Sequence, residues 1–314
     1  MIMKRNEENA RKQRMLLVYN PKAGKSKIRN LLLDIIDIFV KADYEVVAYP
    51  TQGPKDAVNI VKTREKGVYD LVVCAGGDGT LDEVVSGMLN SGEIIPIGYI
   101  PAGSTNDFAH SLNIPGDMTE AAKHIVEGKV MHCDVGELNE ADFVYIAAFG
   151  LFTEVSYQTD QRLKNVLGHM AYILEGMKSL YNIKSYKMRV SSDEMEFEGD
   201  FLFGMITNSK SVAGFKGLVK GDVQFDDGVY EVTFIKRPKN PLEIQEILGA
   251  LLLEEINSNY MYSFRTKKLT IESEEMVPWT LDGEFGGEHD HVVIENNHKA
   301  VEIVVKDNEI SIGE

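Results

Sequence analysis

Two short polar stretches carry residue types that do phosphate chemistry. The first, Gly76-Gly77-Asp78-Gly79-Thr80, follows the apolar run Tyr69 to Ala75. It precedes Leu81, Val84, Val85, Met88 and Leu89, which recur at helical spacing. Three glycines and an aspartate therefore sit on a strand-to-helix turn. Glycine permits a positive φ and removes the Cβ that would hold a ligand away. Consecutive N–H groups at a helix start form an anion site, which the helix dipole reinforces. A tight turn with Thr80 as N-cap is the plainer alternative; Asp78 and the flanking elements favour phosphate. The second stretch, Pro101 to Ala109, supplies Ser104 or Thr105 to bond a phosphate oxygen and Asp107 to hold a metal or orient a water. Its residues also make an ordinary N-cap. Two better-known phosphate loops are excluded. The dinucleotide fingerprint would need a glycine where Asp82 stands, and the P-loop would need one at Tyr19.

The elements that position these stretches follow from periodicity. Strands are expected at Met15 to Asn20, Tyr44 to Tyr49, Tyr69 to Ala75 and Ile94 to Ile100. Helices are expected over 26–41, from Thr51 to about Lys66, and after the glycine loop. This βαβαβαβ order implies a parallel sheet covered by helices. Ligands of such sheets sit at the C-terminal strand ends, here Asn20-Pro21, Thr51, Gly76 to Thr80, and Pro101 to Asp107. From about residue 130 the texture changes to short strand-like segments at 186–190, 195–208, 229–235, 261–272, 291–295, 299–305 and 308–312. Helical patterns at 161–179 and 241–256 interrupt them. The expectation is an α/β domain over 1–133, on which 298–314 packs back, and a mainly antiparallel β-sandwich or barrel over 134–297 with helical insertions.

Composition bounds the function. A formal charge of −16 over 314 residues speaks against a nucleic-acid binder. The first 30 residues nevertheless hold nine Lys and Arg against two Glu, a basic end that suits an anionic membrane surface or a solvated arm. Cys74 and Cys133 lack metal or redox spacing and read as free thiols in a reducing cytosol. No export signal or membrane-spanning run is visible, so any lipid would be met as a peripheral visitor to the membrane.

Taken in order, Asn20-Pro21-Lys22-Ala23-Gly24, the glycine loop and Pro101-Ala102-Gly103-Ser104-Thr105-Asn106-Asp107-Phe108-Ala109 resemble the soluble bacterial diacylglycerol kinase family. Its catalytic domain is shared with sphingosine and ceramide kinases. NAD kinases and phosphofructokinases carry a similar glycine loop; the Ser-Thr-Asn-Asp-Phe loop is the part that points to lipid kinases. The resemblance implies a first domain like those two enzymes, ATP and Mg²⁺ as cofactors, and phosphorylation of a lipid hydroxyl entering between the domains. It implies nucleotide contacts at Asn20, Pro21, Thr51, Gly76, Gly77, Asp78, Gly79, Thr80 and Ser104. Asp78 and Asp107 would lie near the triphosphate and its metal. Asp134 would be linked through water to a structural Mg²⁺, whose ligands would be the Asp227 side chain and the Gln224 and Val229 carbonyls. Glu284, in Leu281-Asp282-Gly283-Glu284, would be the general base, although Asp-Gly is equally a hairpin turn. Ser104 stands where the family usually has threonine, and Tyr145 where asparagine is common. The runner-up readings are an NAD kinase-like small-molecule kinase and a regulatory nucleotide-binding protein without turnover. A strand edge in the second domain would allow a homodimer.

Overall fold

The computed structural model describes residues 11–103, 106–150, 184–208, 223–252 and 259–306. The expected helix at 161–179, the strand at 308–312, Ser104 and Thr105 lie outside them. The chain forms two compact units, Met1–Asp134 with Lys299–Glu314, and Val135–His298.

Unit 1 begins with β1 (Gln13–Tyr19), α1 (Ala23–Ser26), α2 (Ile28–Lys41), β2 (Tyr44–Pro50) and α3 (Asp56–Lys62). It continues with β3 (Leu71–Gly76), α4 (Asp78–Leu89), β4 (Ile97–Pro101), α5 (Asp107–Ser111) and α6 (Met118–Glu127). The pairings β1–β2, β1–β3 and β3–β4 are parallel. Every residue of β3 and β4 is buried. Continuous apolar runs such as Leu71-Val72-Val73-Cys74-Ala75 suit strands covered on both faces. The spatial order β2–β1–β3–β4 reverses direction between β1 and β3, and ligands of open α/β sheets gather at such a switch point. Two strands carry the chain between units, β5 (Lys129–Leu138) outward and β13 (Glu284–Val305) back, where Ile303 pairs parallel with Ile97 of β4.

Unit 2 adds β6 (Ala141–Phe143), β7 (Ile146–Gly150), β8 (Tyr186–Ser191), β9 (Glu196–Thr207), β10 (Tyr230–Lys236), α7 (Pro241–Leu252), β11 (Met261–Thr266) and β12 (Lys268–Leu281). Its β7–β13 pairings are antiparallel, in the order β11–β10–β9–β7–β12–β13. β9 pairs with β8 through Glu196 to Phe201 and with β7 through Phe203 to Thr207. β12 does the same, pairing with β8 through Thr270 to Ser273 and with β7 through Trp279 to Leu281. The circuit β8–β9–β7–β12 thus closes on itself. Two long bent strands build one hydrogen-bonded sheet around the core, in place of the two stacked sheets of a sandwich. Alternation along β8 (buried at Tyr186, Met188 and Val190) sends every second side chain inward. The core is aromatic, with Phe149 ring to ring against Trp279 at 5.1 Å and Phe201 against Phe234 at 5.3 Å. Each fully buried ring is worth about 2–3 kcal/mol of transfer free energy.

Candidate active site

The glycine loop and the Pro101–Asp107 loop touch backbone to backbone. A Cβ on Gly103 would stand 2.7 Å from the Gly77 Cα and 2.7 Å from Asn106 Oδ1. Close approach, rather than φ, is what these glycines provide. Gly76, Gly77 and Gly79 are absent from the positive-φ residues, and Gly77 has an extended φ of −86°. The strand runs straight into α4, and a side chain at either loop would force the two apart. Gly77, not Thr80, is the N-cap of α4; its carbonyl accepts from Thr80 N at 3.0 Å and Leu81 N at 3.1 Å. Glycine offers no side chain to cap the first turn, so that end keeps its positive dipole for an external anion.

Asp78, the first residue of α4, is the electrostatic centre of unit 1. Its Oδ1 is buried and has no hydrogen-bond partner. Burial, and then the charge of Asp107, push its carboxyl up to about 6, against lowering by the N–H groups of Asp107, Asn106 and Phe108 at the start of α5. Two carboxylates that repel each other, with an orphaned oxygen between strand ends, form a donor set that fits a hard divalent cation. Burial and the charge of Asp78 also push the Tyr99 phenol well above its ordinary range.

The remaining strand ends line up beside this pair. Asn20, after β1, donates its N–H to Ala75 O at 2.9 Å and accepts Lys22 N on Oδ1 at 2.9 Å. That ties the β1 end, with Pro21, to the end of β3. Thr51 N donates to Tyr19 O at 2.9 Å, and Asp56 accepts Gln52 N at 2.8 Å. Ala102 N donates to Gly76 O at 2.7 Å, so the ends of β3 and β4 also stay joined. Asn20, Thr51, Gly76 to Thr80 and Asp107 all fall on C-terminal strand ends or the helix starts that follow them. Asp134 lies elsewhere in unit 1. It is 1% exposed and accepts the Lys299 N–H at 2.7 Å, fastening the outgoing β5 to the returning β13.

In unit 2, Glu284 opens β13 directly after the turn Asp282-Gly283, with φ of 49° and 85°. Both central residues being left-handed is the signature of a two-residue hairpin, so the motif is a turn and a presenter of Glu284 at once. Asp282 is 5% exposed, and its carboxylate accepts the backbone N–H groups of Val144, Tyr145 (3.0 Å) and Ile146 (2.9 Å). It anchors the β6–β7 connection to the hairpin that carries Glu284. The unusual Tyr145 contributes its backbone here; its carbonyl accepts Thr207 Oγ1 at 2.6 Å.

At the other turn, Asp227 accepts Val229 N on Oδ1 at 3.2 Å and is ion-paired through Oδ2 with Arg265. Arg265 Nε also reaches Glu231 Oε1 at 3.1 Å. Burial pushes the Glu231 carboxyl up to about 7, against lowering by Arg265. Gln224 is exposed. Among the described residues no group of three or more His, Cys, Asp or Glu is gathered to hold a metal.

Three residues have positioning roles that the local sequence does not report. Asn106 is left-handed (φ 53°) and closes the second loop, its Oδ1 accepting Gly103 N at 2.8 Å and its Nδ2 donating to Gly103 O at 3.1 Å. Asn is among the non-glycine residues enriched in this region, the one available signal. Glu83 on α4 accepts Lys55 N (2.7 Å) and Ala57 N (3.1 Å), holding the start of α3. Asp282 is the third.

A glycine-led helix start with two close carboxylates, at the switch point of a parallel sheet, is the equipment of a phosphoryl-transfer enzyme. Comparison with known proteins narrows the class. The sequence profile of the diacylglycerol kinase catalytic domain matches residues 14–138. The diacylglycerol kinase of Staphylococcus carnosus (strain TM300) is 34% identical over 278 residues, covering 88% of this chain and 90% of the relative. That of Bacillus subtilis (strain 168) is 32% identical over 276 residues, covering 88% and 91%. A crystal structure from Bacillus anthracis str. Sterne, of a protein provisionally assigned as a diacylglycerol kinase, superposes with a TM-score of 0.81 at 25% identity, covering 98% of this chain and 100% of that one. The chain belongs to the diacylglycerol kinase family and is a lipid kinase. Membership of a kinase family implies ATP use. Among the described residues no helix is long and apolar enough to cross a membrane.

Proposed function

We propose that the protein transfers the γ-phosphoryl group of ATP, bound with Mg²⁺, to the free hydroxyl of diacylglycerol, giving phosphatidic acid. The observation that carries the reading is the buried, unpartnered Asp78 oxygen beside Asp107, in a chain whose relatives are diacylglycerol kinases over nearly their full length. Phosphoryl transfer is chiefly positioning and charge neutralisation, and the residues divide accordingly. The uncapped first turn of α4, with Gly76 to Thr80, takes phosphate oxygens; Asn20, Pro21, Thr51 and Ser104 complete the nucleotide contacts. Asp78 and Asp107 would hold the divalent cation, which would supply neutralisation of the phosphate charge. Glu284 accepts the proton of the lipid hydroxyl as its oxygen attacks, fixed in place by the Asp282 anchor. The enzyme works from the cytoplasm at a membrane surface, which the basic N-terminal 30 residues support.

The test is product analysis with 1,2-diacylglycerol in mixed micelles, Mg²⁺ and ATP. Wild type should form phosphatidic acid, and Glu284→Gln should lose the product while binding ATP with unchanged affinity. Product from the variant at the wild-type rate would remove Glu284 from the mechanism.

A further inference from the structure

The resemblance implies a structural divalent cation at the turn before β10, and the residues there do not fit one. Both Asp227 oxygens are engaged, Oδ1 by the Val229 N–H at 3.2 Å and Oδ2 by Arg265 Nη2. The same guanidinium reaches Glu231 Oε1 through Nε at 3.1 Å, and the Glu231 side chain is 5% exposed. Strand register makes this arrangement, because Glu231 on β10 and Arg265 on β11 are direct cross-strand partners. The planar fork of arginine engages two carboxylates from different nitrogens, which the single ammonium of lysine does not reproduce. A divalent cation on Asp227 would have to face this guanidinium at close range or displace it, and displacement would leave a buried carboxylate without its partner.

We propose that Arg265 is the built-in cation of this corner: its guanidinium takes the place of a divalent metal and holds the Phe225–Val229 turn to β10 and β11, so that unit 2 orders without metal. The inference concerns folding and stands apart from the reaction proposed above.

The test uses the full chain carrying Asp78→Asn, which silences the acidic pair in unit 1, without nucleotide. Manganese binding is followed by calorimetry and electron paramagnetic resonance, and thermal melting is recorded in EDTA and in Mg²⁺. With Arg265 present, no Mn²⁺ binding that depends on Asp227 is expected, and the melting temperature should be the same in EDTA and in Mg²⁺. Adding Arg265→Gln should lower the melting temperature by about 5 °C. It should also create a Mg²⁺-dependent recovery that Asp227→Asn abolishes. One equivalent of Mn²⁺ bound with Arg265 intact and lost on Asp227→Asn would overturn the proposal. So would an Arg265→Gln protein that melts like its parent. If Arg265→Gln does not fold, the Mn²⁺ titration of the Arg265 protein with and without Asp227→Asn decides alone.

Discussion

Replacing Asp78 by Asn should stabilise the metal-free protein while abolishing phosphoryl transfer. Burial and Asp107 lift the Asp78 carboxyl from its ordinary 3.8 to about 6. That is about two units, and at about 1.4 kcal/mol per unit the ionised group costs the fold on the order of 3 kcal/mol near pH 7.5. Asparagine keeps the shape and removes the charge. In EDTA, without nucleotide, Asp78→Asn should therefore melt above wild type, by on the order of 6 °C. The pH dependence has a definite sign. A carboxyl raised in the fold is protonated more readily there than in the unfolded chain. Its stabilising contribution is fully present below about pH 4 and is lost as pH rises through about 6. The advantage of the variant should accordingly be absent at pH 4 and complete at pH 7.5. Mg²⁺ should raise the melting temperature of wild type and leave the variant unmoved. The assay is thermal melting of both proteins from pH 4 to 8, with and without metal. A variant that melts at or below wild type in EDTA at pH 7.5 would refute the reasoning, as would an advantage that persists undiminished at pH 4.

Three further outcomes are expected. Asp282→Ala strips the acceptor from three buried N–H groups and should cost on the order of 3 kcal/mol in urea unfolding, whereas Asp282→Asn keeps the two bonds on Oδ1, tolerates φ of 49°, and should cost about half as much. Gly103→Ala places a Cβ 2.7 Å from the Gly77 Cα and should push the two phosphate-side loops apart, costing about 1–3 kcal/mol and weakening ATP binding measured by calorimetry. Asn106→Ala removes both side-chain bonds to Gly103 and should raise the KM for ATP with a smaller change in stability.

The parts of this protein that were legible in its sequence are those set by local pattern. The apolar run before Gly76 and the helical spacing after it place β3 and α4 correctly, because burial on both faces leaves little freedom for polar residues in such a strand. The role of the glycines was not legible. A Gly-Gly-Asp-Gly string admits either a left-handed turn or a close backbone approach, and only the proximity of Gly103 decides for the latter. In the sequence β12 and β13 read as shorter pieces, because bulges break their alternation, as between Glu272 and Val277. Asp282 reads as a turn residue, since Asp-Gly signals a hairpin whatever the carboxylate does; its partners at Val144 to Ile146 are remote in sequence. The Asp227–Arg265 pair, 38 residues apart, likewise depends on the β10–β11 register, which no local pattern reports. Glu284 and Asp227 are legible through resemblance alone, and the structure adds what holds each of them.

The most direct test of the central claim is transfer of labelled phosphate from ATP, with Mg²⁺, to a panel that holds diacylglycerol, other lipid alcohols and NAD under one set of conditions. The account predicts labelled phosphatidic acid from wild type, none from Asp78→Asn, and no label on NAD. Phosphorylated NAD with no lipid product would contradict it, as would bound ATP with no product from any acceptor.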